Sequence, residues 1–275
     1  MTPWFELGQR RDHPYVRVGP PPEESGETPL VVVTGLNDPL LRVTDALWFA
    51  GAVASLGVRL RARGYPGAVY VYSRPVGLPA DHTTRDMARA LARALPAPSV
   101  DLLGVSMGGF VAQHLAADAP DRVDHLVCGL AGARLSPRGR DLIERWREWA
   151  AAGEWGRIYR AGADAVAVGP LRRAMRAATY PYERLVSMPP AAVDFDVSAR
   201  ACLSHDASDA LAGVEVPTLV VGGTEDPFFA AEEFRRTADV ADAPFARLDG
   251  LGHEAVVCEG PRFDRPVLEF LTPGK

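Results

Sequence analysis

Continuous apolar runs alternate with stretches of helical spacing along most of this chain. Leu30–Thr34, Ala68–Ser73, Val100–Val105 and Val123–Leu130 are runs of the kind buried on both faces of a parallel sheet. Helical spacing lies between them. It covers about Thr44 to Arg63, closed by Gly64, and Thr83 to Leu95, opened by the capping pair Thr83 and Asp86 and stopped before Pro96. A third helical segment follows Ser106 and ends at Pro120. At the start of the chain, Trp4–Leu7 and Tyr15–Val18 flank a charged turn and predict an antiparallel pair. The Pro- and Gly-rich stretch from Gly19 to Gly26 reads as a surface loop.

The alternation stops near Ala133. From there to about Gly213 the pattern is helical only, with Leu142, Ile143, Trp146 and Trp149 on one face of the segment Arg138–Ala152. It resumes with an apolar run at Val216–Val221, a helix carrying Glu232, Phe234 and Arg235, a run at Phe245–Leu248 and a last helix over Pro261–Leu271. Pro266 lies inside that last segment and predicts a kink or a late start. Strands alternating with helices predict an α/β fold with a mostly parallel, doubly wound sheet. Residues 1–132 and 214–275 form its core, and 133–213 form a helical insertion.

Composition changes this picture little. A chain of 275 residues with 47% hydrophobic and 24% charged positions can bury a sizeable core and suits a soluble protein. A net charge of −5 argues against nucleic acid or an anionic membrane as partner. Lys275 is the sole lysine, so the abundance of arginine reads as coding bias and not as a phosphate-binding surface. Cys128, Cys202 and Cys258 are scattered and odd in number, which predicts reduced thiols and a cytoplasmic location. Neither a leader-like N-terminal run nor an apolar stretch of membrane-spanning length is visible. No His, Asp or Glu cluster has metal-ligand spacing, and no cofactor is implied.

The chemistry starts at Gly104-Val105-Ser106-Met107-Gly108-Gly109, which sits between a predicted strand and a predicted helix. A serine in such a turn is held in strained backbone, with its hydroxyl pushed out above the sheet edge. Gly104 and Gly108 are required where strand and helix nearly touch. A serine hydroxyl is a poor nucleophile unless a base lies within hydrogen-bond reach and a third group orients that base. In a parallel sheet such groups collect at the carboxyl ends of strands, and Ser106, Asp226 and His253 all follow strand ends. Glu225 competes with Asp226 for the acid position; the spacing from Gly222 and the following Pro227 favour Asp226. His13, His82, His114, His125 and His205 read as structural or surface residues.

Three motifs carry a resemblance: the serine turn above, Gly222-Gly223-Thr224-Glu225-Asp226, and Gly250-Leu251-Gly252-His253. With them the chain resembles the α/β-hydrolase superfamily, in the subgroup with a helical cap between core strands six and seven. The resemblance covers nearly the whole chain outside the cap. It implies Ser106 as nucleophile, His253 as general base and then acid, and Asp226 as the orienting carboxylate. It also implies an oxyanion hole from the backbone N–H groups of Leu36 and Met107, with Asn37 placed to add a side-chain donor. Relatives often carry His-Gly after the third strand, where this chain has Thr34-Gly35.

The implied activity is hydrolysis of a small-molecule ester, thioester or lactone through an acyl-enzyme. A carbon–carbon bond hydrolase, a cofactor-free perhydrolase and a non-catalytic small-ligand receptor are the alternatives on the same residues. Asn37 and, in the insertion, Trp146, Trp149, Tyr159 and Met175 are candidate pocket residues, although packing the insertion onto the core accounts for any one of the last four. Glu144, Glu148 and Glu154 read as a solvated face.

Overall fold

Leu30, Val31, Val32 and Val33 are buried at every position, as a strand covered by helices on both faces must be. A computed structural model describes residues 4–38, 47–165, 177 and 192–274 of the chain. Among these, eight strands form one sheet: β1 (Phe5–Arg10), β2 (His13–Val18), β3 (Leu30–Val33), β4 (Val69–Tyr72), β5 (Val100–Val105), β6 (Val123–Gly129), β7 (Thr218–Gly223) and β8 (Phe245–Leu248). Their order is β1-β2-β4-β3-β5-β6-β7-β8. The β1–β2 and β2–β4 pairs are antiparallel. Every other pair is parallel. Arg11 and Asp12 join β1 to β2 with φ of 45° and 69°, the left-handed pair that matches a two-residue hairpin turn to the twist of its strands.

The described helices are α1 (Pro22–Ser25), α2 (Leu47–Ala62), α3 (Thr84–Ala92), α4 (Met107–Asp118), α5 (Pro137–Ala151), α6 (Trp155–Ala165), α7 (Ala192–Ser204), α8 (Ser208–Leu211), α9 (Ala231–Val240), α10 (Ala255–Cys258) and α11 (Gly260–Leu271). Alternate strand residues feed two separate cores. Val31, Val33, Leu102 and Val220 pack with Phe110 of α4 and Phe234 of α9. Leu30, Val32, Leu103 and Val221 pack with Leu60 of α2 and Phe263 and Val267 of α11. The expected capping pair is present: Thr83 and Asp86 form a reciprocal capping box at the start of α3. Between β6 and β7 the described residues hold helices and no strand, as the sequence pattern predicts.

Two local expectations need correction. The Gly19–Gly26 stretch contains the one-turn helix α1, where Pro22 supplies the fixed φ that suits a first helical position. The last helix starts at Gly260 and runs through Pro266, so a late start does not occur. Its buried face, Phe263, Asp264, Val267 and Leu268, spans the proline and holds the helix on the sheet.

Asp264 is fully buried and accepts hydrogen bonds from Arg59 Nε at 2.9 Å, Arg59 Nη2 at 3.0 Å and Arg63 Nη1 at 3.0 Å. These bonds tie α11 to α2 and to the turn that follows it. Asp264→Asn keeps the volume but removes the charge facing two guanidiniums. We expect a loss of about 2–3 kcal/mol, less than for a fully buried pair because both arginines reach solvent, read as a lower urea midpoint at unchanged m-value.

The helices between β6 and β7 are pinned to the core by buried polar groups. The Asp194 carboxylate on α7 accepts from the N–H groups of Gly77 at 3.0 Å and Leu78 at 2.7 Å. His205 lies stacked on Phe110 with ring centroids 3.9 Å apart. Its ring nitrogens meet Thr84 Oγ1 at 2.8 Å and Gln113 Oε1 at 3.1 Å. Burial pushes the His205 pKa down to about 3, so the ring stays neutral and acts as a structural joint.

Candidate active site

β5 delivers Val105 to the sheet edge and α4 begins at Met107, leaving one residue to turn the chain. Ser106 takes φ 57° and ψ −127°, a conformation that side-chain-bearing residues rarely adopt. The turn is that sharp because strand and helix are in contact. A Cβ on Gly104 would lie 2.4 Å from the Cα of Gly109, and one on Gly108 would lie 2.0 Å from the Val33 carbonyl oxygen. Glycine is the residue type that fits both positions. As a result α4 aims its first N–H groups at the space above Ser106, where its dipole favours negative charge.

The acid and base loops are stitched together at the ends of β7 and β8. The Glu225 N–H donates to the Leu251 carbonyl at 2.8 Å, and the Gly250 N–H donates to Thr224 Oγ1 at 2.9 Å. A Cβ on Gly223 would meet that Leu251 oxygen at 2.2 Å, so this approach too depends on glycine. The result brings His253 Nδ1 to 2.7 Å from Asp226 Oδ2, with both side chains buried. Asp226 is locked in turn: its Oδ1 accepts from the N–H groups of Phe228 at 2.8 Å and Phe229 at 3.1 Å. Glu225 is exposed, so the choice between neighbouring carboxylates falls on Asp226.

Aromatic rings link this pair to the serine turn. Phe229 packs edge-on against Phe110, four residues beyond Ser106, at 5.7 Å, and stacks with His253 at 6.2 Å. Phe228 meets His253 at 4.7 Å, its ring tilted by 63°. No hydrogen bond joins Ser106 Oγ to the imidazole among the described residues. Such contacts commonly tighten when substrate binds.

The loop after β3 comes down beside the serine. The position a Cβ would take on Gly35 is 3.3 Å from Ser106 Cβ and 3.3 Å from Asn37 Oδ1. Leu36 and Met107 are buried, and among the described residues neither backbone N–H donates a hydrogen bond. Buried N–H groups without a partner are rare in native folds. One of these two N–H groups belongs to the loop that touches Ser106 and the other to the first residue of α4.

The sequence model of the alpha/beta hydrolase family matches residues 19–270. The chain belongs to that family. Solved structures agree on the fold of this alpha/beta hydrolase. An alpha/beta hydrolase enzyme from a Medee basin deep-sea metagenome library is similar with a TM-score of 0.78 at 18% identity, covering 98% of each chain. The enol-lactonase from Burkholderia xenovorans LB400 has a TM-score of 0.71 at 19% identity, covering 97% of this chain and 100% of its own. A meta-cleavage product hydrolase from Pseudomonas fluorescens IP01 has a TM-score of 0.72 at 16% identity, covering 98% of each chain. Identities this low speak to the common fold.

The predicted pocket residues of this alpha/beta hydrolase separate. Trp146 is buried and meets Phe228 edge-on at 5.6 Å, one ring removed from His253. Trp149 is half-buried beneath the guanidinium of Arg157, 4.9 Å from its ring centre. Tyr159 is buried within the larger core. Asn37 is exposed beside the serine, and Met175 lies outside the described residues. Glu144, Glu148 and Glu154 are exposed, the solvated face that was expected. A small cavity of about 20 Å3 is lined by residues that include His13, Tyr72, Arg74, Leu78, Met87 and Val111.

Sequence reading missed several residues of the site. Glu254 is buried and accepts from the Gly252 N–H at 2.8 Å, which holds the histidine loop. Phe228 and Phe229 both pack against the imidazole, and the signal for them in the sequence was their place directly after Asp226-Pro227. Arg74 and Asp38, which hold the loop after β3, gave no signal at all.

Proposed function

We propose that this chain is a serine hydrolase that cleaves a carboxylic ester, thioester or lactone of a small molecule through an acyl-enzyme. One observation supports the reading most: a buried Asp226–His253 pair is linked through Phe229 and Phe110 to a strained serine turn, where the Leu36 and Met107 N–H groups have no partner among the described residues. With Nδ1–H donating to Asp226, the His253 Nε2 lone pair is left as the base. It takes the Ser106 proton as Oγ bonds to the substrate carbonyl carbon. The Leu36 and Met107 N–H groups hold the oxyanion that forms. His253 then hands the proton to the leaving oxygen or sulfur as its bond to the acyl carbon breaks. Water, deprotonated by Nε2, attacks the acyl-serine; the acid departs and Ser106 is reprotonated.

In this reading residues 133–213 form a cap over the core made by 1–132 and 214–275, and Trp146 lines the acyl side of the pocket. The Trp146–Phe228–His253 ring contacts support that role. A fluorophosphonate probe tests the proposal. Peptide mapping should place the label on Ser106, with labelling at least about 100-fold slower in His253→Ala, since general-base help is worth about 10²–10⁴-fold. Equal labelling of the two proteins would sink the reading in favour of a receptor. A panel of p-nitrophenyl esters run beside vinylogous diketones separates ester cleavage from carbon–carbon cleavage. Ester turnover alone is expected.

A further inference from the structure

We infer that Arg74 is a positioning residue for the oxyanion hole, fixing the Gly35–Leu36 peptide from behind so that its N–H faces the reacting carbonyl. The inference rests on the serine-hydrolase reading above and deepens it. Arg74 follows β4, on the far side of β3 from the serine strand in the sheet order. Its side chain is 5% exposed. Nη1 donates to the Thr34 carbonyl at 3.1 Å and Nη2 donates to the Gly35 carbonyl at 2.9 Å.

The second bond is the informative one. The Gly35 carbonyl and the Leu36 N–H belong to the same peptide group. A trans peptide is planar, so its C=O and N–H point in opposite directions. Holding the oxygen on Arg74 therefore aims the hydrogen away from Arg74. That is the Leu36 N–H without a partner among the described residues, in the loop that touches Ser106. A charged donor on the carbonyl oxygen also polarises the peptide and strengthens the N–H as a donor.

The rest of the loop is held to the same end. Thr34 Oγ1 donates to the Tyr72 carbonyl at 2.9 Å. The buried Asp38 carboxylate accepts from the Arg74 N–H at 2.7 Å and lies 3.8 Å from Arg74 Nη2, which offsets the buried charge without drawing the guanidinium off the carbonyls. Where relatives often place a histidine in this turn, Thr34 and a distant arginine do the bracing here.

The test compares wild type, Arg74→Lys and Arg74→Met, with rates expressed per site titrated by fluorophosphonate. Losing an oxyanion donor outright costs about 10²–10³-fold in kcat, so a donor loosened by Arg74→Met should cost about 10–100-fold, with KM within about 3-fold. A trifluoromethyl ketone, whose serine adduct carries the oxyanion, should lose affinity in step with kcat. The product carboxylic acid should not. Arg74→Lys should recover part of the loss. A merely structural role would lower the melting temperature and the number of titratable sites while leaving kcat per site and the ketone-to-acid ratio unchanged; that result overturns the inference. Should Arg74→Met fail to fold, Arg74→Lys decides. One ammonium serves the two carbonyls less well than the fork, so kcat per site must fall at least about 3-fold. A wild type that neither labels nor turns over esters removes the hydrolase reading itself. A labelled wild type with unaltered variants removes Arg74 alone.

Discussion

Ser106→Ala is expected to lower kcat for ester hydrolysis by about 10⁴-fold or more, because loss of a serine nucleophile leaves only binding and oxyanion stabilisation. Stability should barely change. The hydroxyl makes no hydrogen bond among the described residues, so its removal orphans no partner. Ser106→Gly makes the sharper case. The backbone at φ 57° and ψ −127° costs any side-chain-bearing residue about 1–3 kcal/mol, and glycine is relieved of most of it. The glycine variant should therefore be as inactive as the alanine variant yet unfold later, by about 2–4 °C for each kcal/mol recovered. Ester kinetics and calorimetry on the three proteins check both halves. A Ser106→Gly protein less stable than Ser106→Ala would mean the turn is not strained.

Gly108→Ala is expected to be among the most damaging single-methyl additions at the described glycines. The new Cβ would sit 2.0 Å from the Val33 carbonyl oxygen, 2.6 Å from the Val33 carbonyl carbon and 2.8 Å from the Thr34 oxygen. All three are backbone atoms at the end of β3, a strand paired on both sides. Neither helix nor strand can yield without breaking the turn or the sheet. We expect a loss above about 3 kcal/mol, in the class of overpacked core substitutions, and a fall of roughly 10 °C in melting temperature or no soluble protein. Gly162→Ala is the control. It lies in α6 with no atom of a described residue within 4 Å of the added methyl, and should raise stability by about 0.5–1 kcal/mol. If the two variants melted together, close approach would not be what selects glycine at position 108.

The site was legible where its cause is local. Gly104 is forced by contact with Gly108 and Gly109 a few residues on, so it marks the serine turn in any reading of the residues, whereas Gly108 answers to the Val33 carbonyl of β3, a contact that only the sheet order supplies. The turns after β7 and β8 announce themselves likewise, by glycines and a charged residue following an apolar run. The hairpin turn at Arg11 and Asp12, by contrast, has no glycine or asparagine to signal its left-handed residues, and the end of β1 was placed short. Of the two outcomes expected at Pro266, a kink or a late start, the late start is excluded, because burial of Phe263, Asp264 and Val267 carries the helix through the proline.

Other features have no local cause. Arg74 is one of 30 basic residues in this chain, and nothing around it distinguishes it. Its partners Thr34 and Gly35 are some 40 positions away, brought close only because β4 pairs with β3. Trp146, Trp149 and Tyr159 look alike as aromatic residues on helices. Packing put one next to a ring that touches His253 and turned the second beneath an arginine.

Hydrophobic period and turn chemistry act over a few residues. They determined the alternating α/β layout and the order of the serine, acid and histidine turns. Which of two adjacent carboxylates meets the imidazole was decided by the register of β7 against β8 and by the backbone N–H groups that capture Asp226 Oδ1. What braces the loop beside the serine was decided by strand pairing, which joins residues the chain itself keeps far apart. Contacts of that second kind depend on where whole elements dock, and no short stretch of sequence encodes the docking.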